Sequence, residues 1–432
     1  MAKKRIDFIT MGCSKNLVDT ELLMRQFAEA GYDVKHDAKT PTGRIVIINT
    51  CGFIGDAKEE SINTILQFAE RKQKGKIDKL FVMGCLPERY KKELQAEIPE
   101  VDRFYGKFEY PQIITDMQHT WNHNIATQRT LTTPKHYAYL KISEGCNRTC
   151  SYCAIPIITG HHKSRSMEDI LQEVKWLTSK GVKEFQIIAQ DLSYYGIDLY
   201  KKTQLAELIN RIADTKGVEW IRLHYAYPAK FPYDILKVMR ERDNVCNYLD
   251  IALQHISNHM LQLMRRNITS EETYQLLQRI REEVPEIHLR TTLLLGHPGE
   301  TEDDVQQLEQ FVQKARFERL GAFAYSDEDG TYANLHYQDN IPMEEKEQRV
   351  ARIMQIQENI AAEINAQKIG KTMPVIIDRQ EGEFYIGRTE YDSPDVDGEV
   401  LIGINKPLKI GNIYPTLITA AEDFDLFGEV NI

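Results

Sequence analysis

The pattern of apolar and polar positions changes period along the chain, and each change predicts a different kind of element. Three short apolar runs in the first part predict strands, at 6–11, 44–49 and 79–83. Two segments of helical period lie between them, at 17–30 and 57–74, and each ends at a glycine. Strands that alternate with helices predict a parallel sheet, because right-handed crossovers bring every strand back in the same direction.

The middle of the chain repeats a strand and helix pattern six times. The predicted strands lie at 137–143, 183–189, 219–225, 248–254, 287–296 and 319–325. A helix capped by Ser166 and closed by Gly181 follows the first strand, and further helices are predicted at 203–216, 231–242, 271–284 and 301–316. Six such units predict a partial (βα)6 barrel, a fold whose cofactors lie at the carboxyl ends of the strands.

The last part of the chain returns to short strands. A charged helix at 344–368, with an apolar stripe toward the barrel, is expected to lead to them. The strands are predicted at 373–378, 384–388, 399–404 and 413–420, separated by glycine and proline turns. They predict a small antiparallel β-barrel, so the chain is α/β overall. We expect three domains, at 1–122, 132–364 and 366–432.

The charge is distributed unevenly along the 432 residues. The chain has a net charge of −10, and residues 371–432 hold five basic and twelve acidic side chains, a net charge of −7. Such a segment repels phosphate backbones and argues against general nucleic-acid binding. No apolar run approaches the ~20 residues that cross a bilayer. The amino-terminal residues lack the apolar core of a signal peptide, so we expect a cytoplasmic protein without a membrane partner.

Three of the seven cysteines form a compact motif directly after the first predicted barrel strand. Cys146, Cys150 and Cys153 have the spacing C-x3-C-x2-C. Three thiolates at this spacing can bind three irons of a cubane cluster and leave the fourth iron open. A zinc knuckle is the alternative, with His161 or His162 as the fourth ligand.

Three other cysteines share a position although they are far apart in sequence. Cys13, Cys51 and Cys85 each follow a predicted strand, and each lies beside a glycine. Parallel strands bring their carboxyl ends to one edge of the sheet, so we expect the three thiols to converge on a second cluster. The alternative is three buried, inert cysteines. Cys246 has no such context and is interpreted as an ordinary core or boundary cysteine.

The C-x3-C-x2-C loop after the first strand of a six-unit barrel resembles the radical S-adenosylmethionine superfamily. Tyr152, the aromatic residue before the third cysteine, also matches that family's pattern. The resemblance implies a [4Fe-4S] cluster whose open iron binds the amino and carboxylate groups of S-adenosylmethionine (SAM). It also implies reductive cleavage of SAM to a 5′-deoxyadenosyl radical.

Two three-cysteine sites in this order resemble the methylthiotransferase family over essentially the whole chain. That family has an amino-terminal cluster domain, a radical barrel and a small TRAM β-domain. The resemblance implies a second [4Fe-4S] cluster that carries sulfur, one SAM as methyl donor and a second SAM as radical source. It also implies a reductant and a sulfur donor as partners, and no catalytic residues beyond the cluster ligands.

Three segments resemble the RimO-type branch, which modifies the β-carbon of an aspartate in ribosomal protein S-twelve. They are the first cysteine segment, the radical loop and a turn in the terminal domain, at 12–21, 152–160 and 393–400. The acidic terminal segment agrees, because it complements a basic ribosomal protein, alone or within the small subunit. The alternative is a transfer-RNA adenosine methylthiotransferase of the MiaB type.

Polar and flexible positions at the later strand ends are our candidates for SAM binding. They are Gln190, Arg222, Gln254, Leu295 and Gly296, together with Tyr152 of the radical loop. Arg222 can pair with the carboxylate of SAM, and the glutamines can bind its polar edges. Two other classes stay open: an electron-transfer protein, which needs complete cluster ligand sets, and a zinc-stabilised binding module, which needs fourth ligands.

Overall fold

The computed structural model describes residues 4–430, and it begins with a parallel sheet that has an apolar core on each face. The strands are β1 (Arg5–Thr10), β2 (Asp33–His36), β3 (Ile45–Thr50), β4 (Lys79–Gly84) and β5 (Arg103–Tyr105). The helices are α1 (Ser14–Glu29), α2 (Gly55–Gln73), α3 (Cys85–Glu97) and α4 (Pro111–Asp116), followed by a 3-10 turn at His123–Ile125. The strand order is β2-β1-β3-β4-β5 with parallel pairings, which confirms the predicted sheet.

The two edge strands, β2 and β5, were not predicted from the sequence. They have four and three residues, too few for an apolar period to show. The central strand β3 is buried at all six positions, as expected for a strand covered on both faces. Its register aligns Asn49 with Thr10 and Thr50 with Gly84, so the three inner strands end at one edge.

The second region is a six-stranded parallel sheet with the order β13-β12-β11-β10-β9-β6. Its strands are β6 (Tyr137–Lys141), β9 (Glu184–Ile188), β10 (Trp220–Ala226), β11 (Val245–Ile251), β12 (His288–Leu295) and β13 (Arg319–Ala324). A short antiparallel pair, β7 (Ser143–Glu144) and β8 (Lys163–Ser164), interrupts the series. The sheet is open between β13 and β6, so the predicted partial barrel is confirmed.

The helices of this region cover the outside of the curved sheet or form its loops. They are α5 (Ile155–Thr159), α6 (Met167–Ser179), α7 (Ile197–Tyr200), α8 (Leu205–Ala213), α9 (Asp234–Glu241), α10 (Asn258–Leu263), α11 (Ser270–Glu283), α12 (Glu302–Ala315), α13 (Tyr332–His336) and α14 (Met343–Ala366). A 3-10 turn lies at Leu192–Tyr194. Helix α14 packs Ile353 and Ile360 into the barrel core, which confirms the predicted apolar stripe. It also buries three polar residues, Lys346, Arg349 and Gln357. Arg349 pairs with Glu300 at 2.7 Å, which makes this burial possible.

The third region is a closed five-stranded barrel with the order β14-β15-β16-β18-β17. Its strands are β14 (Thr372–Glu381), β15 (Phe384–Thr389), β16 (Val400–Gly403), β17 (Ile413–Ala421) and β18 (Leu426–Val430). The small barrel is therefore confirmed, with β18 as an additional strand. Its pairings are antiparallel except for the parallel contact of β16 with β18, which closes the barrel.

We keep 1–122, 132–364 and 366–432 as the proposed division into domains, of which residues 1–3 and 431–432 lie outside the described part. The terminal barrel packs on the amino ends of the parallel barrel strands, where Arg388 of β15 pairs with Glu184 of β9 at 2.7 Å. Within residues 4–430, none of the helices has both the length and the apolar character needed to span a bilayer.

Candidate active site between two cysteine triplets

Six of the seven cysteines line a single cavity between the first sheet and the carboxyl ends of the barrel strands. The cavity has a volume of about 350 Å³ and opens to solvent at its mouth. The N-terminal triplet is defined as Cys13, Cys51 and Cys85, and the radical triplet as Cys146, Cys150 and Cys153. Both triplets therefore face the same cavity, whose volume falls in the range of small-molecule and cofactor sites.

Glycines allow the N-terminal triplet to form. Gly12 has φ +88°, and a Cβ there would lie 3.1 Å from the sulfur of Cys51. Gly84, with φ +109°, precedes Cys85 and leaves no room for a Cβ beside Asn49. Larger residues at either position would push the thiols apart, which explains why these cysteines follow glycines.

The radical triplet lies in a loop that is tied closed at its base. The β7–β8 pair joins the two ends of the loop, and the Cys146 backbone N–H donates to Gly160 O at 3.1 Å. Inside the loop, the Cys153 N–H donates to Cys150 O at 3.2 Å. The side chain of Ser151 hydrogen-bonds His297 at 2.9 Å and anchors the loop to the barrel. The thiols are thus positioned by backbone contacts before any metal binds.

The thiols differ in their ease of ionisation. Burial raises the pKa of Cys85 to about 12 and that of Cys146 to about 11, and it also raises the pKa values of Cys51 and Cys153. At Cys13 burial is outweighed by the charges of Lys15 and Lys107, which lower its pKa. Since thiolates bind iron, cluster assembly must release protons from the thiols whose pKa values are raised.

The geometry does not fit the zinc alternative. Among residues 4–430, no three His, Cys, Asp or Glu side chains lie close enough together to chelate a single metal ion. A cubane cluster needs wider spacing, because each thiolate binds a different iron. His161 contacts Asn147 at 3.1 Å and His162 contacts Ser164 at 3.0 Å, so neither completes a thiol set.

The cavity lining is positively charged. Four cations line it, Lys15, Lys107, Arg148 and Arg266, and none of the described lining residues is acidic. Two of the cations have carboxylate partners behind the lining: Lys107 pairs with Asp19 at 2.6 Å, and Arg148 pairs with Asp191 at 2.7 Å. The other two have no carboxylate partner within the described part of the chain. The cavity therefore suits ligands that bring negative charge.

Arg266 lies directly beside the radical triplet. Its Nη1 donates to the Cys150 sulfur at 3.4 Å and to the Tyr152 hydroxyl at 3.2 Å, and its guanidinium lies 4.2 Å from the Tyr227 ring centroid. The side chain is 97% buried, yet its Nε has no hydrogen-bond partner. A buried cation with an unused donor points to a ligand that accepts hydrogen bonds.

A buried ionic chain joins the two triplets. Asp19 of α1 pairs with Lys107 at 2.6 Å and also contacts Lys141 of β6, which in turn pairs with Glu144. The amide of Gln190 donates to Glu144 at 3.2 Å. Burial alone would raise the pKa of Glu144, but Lys141 and Lys107 outweigh it and lower the pKa to about 2. The chain connects the first sheet to the barrel and fixes the distance between the triplets.

Three of the predicted SAM contacts lie in the cavity. The cavity lining includes Tyr152, Gln190 and Gln254. The side-chain amide oxygen of Gln190, Oε1, is buried without a hydrogen-bond partner. Gln254 and the lining residue Tyr225 have φ values of +72° and +65°. Left-handed backbone at two bulky residues is strained, and such strain concentrates at functional sites. Their binding roles remain predictions.

The other three predicted contacts lie elsewhere, and the expectation for them is corrected. The Arg222 side chain points to the opposite end of the barrel, where it contacts Glu184 at 3.1 Å and Tyr248 at 5.0 Å. Leu295 is fully buried in the barrel core. Gly296 does not line the cavity, and a Cβ there would meet the side chain of Lys346. Arg222 is the third residue of β10 and so lies near its amino end, whereas Leu295 ends β12 but packs its side chain into the core.

Four functional candidates in the lining were missed from the sequence: Lys15, Lys107, Arg148 and Arg266. A signal existed for two of them, because Lys15 and Arg148 each stand two residues after the first cysteine of a triplet. Lys107 and Arg266 come from loops far from any cysteine, and only the fold brings them to the cavity.

Three protein families match successive parts of the chain. The uncharacterized protein family UPF0004 matches residues 5–106, the radical SAM superfamily matches residues 140–312, and the TRAM domain matches residues 369–430. The radical SAM match contains the radical triplet, and the first match contains the N-terminal triplet.

Close relatives are similar over the full length. A protein of Bacteroides thetaiotaomicron is 64% identical, covering 100% of this chain and 99% of its own, and is named ribosomal protein uS12 methylthiotransferase RimO. Proteins with the same name from Parabacteroides distasonis and Porphyromonas gingivalis are 61% and 59% identical, each covering 100% of both chains.

Solved structures share the fold at low identity. The radical SAM methyltransferase TsrM from Kitasatospora setae, with tryptophan and a SAM analogue, has a TM-score of 0.55 at 12% identity, covering 88% of this chain and 79% of its own. The cobalamin-dependent radical enzyme OxsB, with cobalamin and SAM, has a TM-score of 0.51 at 14% identity, covering 82% of this chain and 56% of its own.

Proposed function

Because this chain belongs to the family of ribosomal protein uS12 methylthiotransferases, which are radical SAM enzymes, we propose that it replaces a hydrogen on the β-carbon of a uS12 aspartate by a methylthio group. The observation that carries the proposal is the convergence of both cysteine triplets on one cation-lined cavity. The transfer-RNA alternative is not favoured, since the high-identity relatives carry the uS12 name.

The residues present fit two clusters and SAM. The radical triplet would hold the cluster that binds SAM, and the N-terminal triplet would hold an auxiliary cluster; each offers three thiols and leaves one iron open. When bound, these groups and two SAM molecules supply the electron, the radical, the sulfur and the methyl group that the reaction consumes. A reductant and a sulfur donor are therefore required as partners.

Arg266 is our candidate for the carboxylate of SAM, in place of Arg222. Its unused Nε and its contact with Cys150 place a buried cation beside the radical triplet. Gln190, with its unpaired carbonyl oxygen, is suited to accept from the SAM amino group or ribose. The aromatic ring of Tyr227 covers Arg266 and Arg148, at 4.2 and 4.0 Å, and excludes water from both.

The contribution of the protein to the reaction is positional. The ionic chain through Asp19 and Lys141 keeps the two triplets at a fixed separation, so that a substrate carbon can lie between them. A substrate bound over the mouth of the cavity would exclude water and so protect a reactive radical from side reactions. We propose a cytoplasmic location, because uS12 is assembled into ribosomes there.

Cysteine substitutions test both assignments. In the reconstituted enzyme we expect about eight irons per chain, falling to about four in Cys150→Ala and in Cys51→Ala. Cys150→Ala should abolish SAM cleavage, because the radical cluster is lost. Cys51→Ala should retain SAM cleavage but give no methylthio product on uS12. Iron analysis, 5′-deoxyadenosine detection and product mass spectrometry measure the three quantities.

Cys246→Ala is the matched control, since this buried cysteine lies outside the cavity and should leave the iron content unchanged. Unmodified transfer RNA, offered in parallel with uS12, distinguishes the substrates. Sustained SAM cleavage by Cys150→Ala would contradict the cluster assignment, and a methylthio gain on the RNA alone would contradict the substrate.

A further inference from the structure

Two carboxylates must enter the cavity in the proposed reaction, and this inference rests on that proposed function. One belongs to SAM. The other is the side chain of the substrate aspartate, whose carboxylate is bonded directly to the β-carbon that reacts. Since that carbon must reach the space between the triplets, its carboxylate loses water there and needs a cationic partner.

The lining offers four cations, and three of them are already assigned. Lys107 is neutralised by Asp19 at 2.6 Å, and Arg148 is neutralised by Asp191 at 2.7 Å. Arg266 contacts the radical triplet at Cys150, so its place is beside SAM. Lys15 remains, on the side of the N-terminal triplet.

Lys15 is held in position without being neutralised. It lies in the first turn of α1, two residues after Cys13, and its Nζ is 3.6 Å from the centroid of the Tyr225 ring. Tyr225 stands near the end of β10 and is 37% exposed, with φ +65°. An ammonium over an aromatic face is oriented by its cation–π contact, and its other N–H donors stay available to a ligand.

The position of Lys15 also suits the geometry of the reaction. It reaches from the first sheet across to a strand end of the barrel, so it borders the space between the two triplets. A compact, flexible ammonium can follow a carboxylate that arrives on a protein substrate. No acidic side chain among the described lining residues competes for it.

We propose that Lys15 binds the carboxylate of the substrate aspartate and makes the site specific for an acidic side chain. The pair forms when the substrate enters and holds the β-carbon between the triplets. An asparagine at the same place in the substrate would cover the ammonium without giving it a counter-charge, so it should bind more weakly.

A double-substitution experiment tests this pair. Fluorescent uS12 peptides with the natural aspartate or with asparagine are titrated into reconstituted enzyme without reductant, so that no turnover occurs. We expect the wild-type enzyme to bind the aspartate peptide about tenfold or more tightly than the asparagine peptide. In Lys15→Met this preference should fall to about twofold or less, and Lys15→Arg should recover part of it.

Lys39→Met is the matched control, because it removes an exposed lysine of the same sheet region. It should keep the full preference for aspartate. The iron content of Lys15→Met should equal that of the wild type, which separates substrate binding from cluster support.

Three results would overturn the assignment. An unchanged aspartate preference in Lys15→Met would show that another residue binds the carboxylate. A loss of iron in Lys15→Met would show that Lys15 supports the N-terminal cluster instead. A wild-type enzyme that binds neither peptide but binds transfer RNA would overturn the proposed function, and the Lys15 assignment with it.

Discussion

The two ends of the parallel barrel are both rich in cations, but the carboxyl end leaves two of its cations without a carboxylate partner in the described part of the chain. At the carboxyl ends of the strands, Lys15 and Arg266 line a cavity that has no acidic residue in its described lining. At the amino ends, every barrel arginine that faces the terminal domain meets a carboxylate; the pairs are Arg222 with Glu184, Arg290 with Asp397, and Arg319 with Asp392.

The difference shows what decides the role of a buried arginine or lysine. A cation that meets a carboxylate of its own chain joins two parts of the fold, whereas a cation without one is available to a ligand. The acidic terminal barrel supplies the carboxylates at the amino ends: Asp378, Asp392 and Asp397 all turn toward the parallel barrel. Part of its net charge of −7 is therefore internal neutralisation and does not face a basic substrate.

Substitution of Glu184, the carboxylate that two arginines share at the amino ends of the strands, should lower stability most. Glu184 is fully buried and accepts hydrogen bonds from Arg222 at 3.1 Å and from Arg388 at 2.7 Å. Glu184→Gln leaves the buried Arg222 without a carboxylate and Arg388 with Asp378 alone, so we expect the terminal domain to be destabilised by about 3 kcal/mol or more. Trp220, which packs against Ile376 of the terminal barrel, reports the transition by fluorescence during denaturant titration.

Glu363→Gln serves as the control for that measurement. It removes a carboxylate that pairs with Arg316 at 2.6 Å on the exposed surface of α14, where water screens the charges. Its denaturation midpoint should match the wild type. A Glu184→Gln midpoint that also matches the wild type would show that the pairs at the amino ends do not hold the domains together.

Substituting one arginine from each end of the barrel, Arg266 and Arg222, tests whether only the carboxyl end binds SAM. Arg266→Gln should weaken SAM binding by about 10- to 100-fold, because the carboxylate of SAM loses a charged, water-excluded partner. Arg222→Gln should lower stability but leave SAM affinity unchanged, since its side chain points away from the cavity. Equilibrium dialysis with labelled SAM measures both, and weaker binding in the Arg222 variant alone would restore the sequence-based assignment.

Most of the fold could be predicted from the sequence because its signals are local. Glycines before or after Cys13, Cys51 and Cys85 mark strand ends, and parallel topology then brings the thiols to one edge. In the C-x3-C-x2-C loop the short spacing alone keeps the three cysteines close in the chain. Edge strands such as β2 escaped prediction, because four residues paired on one side carry little apolar pattern.

The charged part of the site could not be predicted in the same way. Arg222 and Arg266 look alike in sequence, and only packing shows that one meets Glu184 while the other lies beside Cys150. The pairing of Lys107 with Asp19 joins residues 88 positions apart. Such long-range contacts determine which cations are neutralised, and therefore which of them can bind a ligand.

The smallest expected effect is a pH dependence of stability. It tests whether the ion pairs at the amino ends of the barrel stabilise the fold by their charge. Burial alone would raise the pKa of Asp378, but Arg388 and His136 outweigh it and lower the pKa to about 2. A carboxyl whose pKa is lower in the folded state stabilises the fold above its ordinary pKa, and this contribution is lost as the pH falls toward 2.

We expect Asp378→Asn to cost about 2 kcal/mol at neutral pH. That cost should shrink between pH 4 and pH 2, as the wild-type carboxyl becomes protonated. Denaturant midpoints across this range measure it, with the exposed Glu383→Gln as a control that shows no such trend. A cost that stays constant down to pH 2 would mean that Asp378 acts through hydrogen bonds and shape alone, and the contrast between the two barrel ends would not depend on charge at this position.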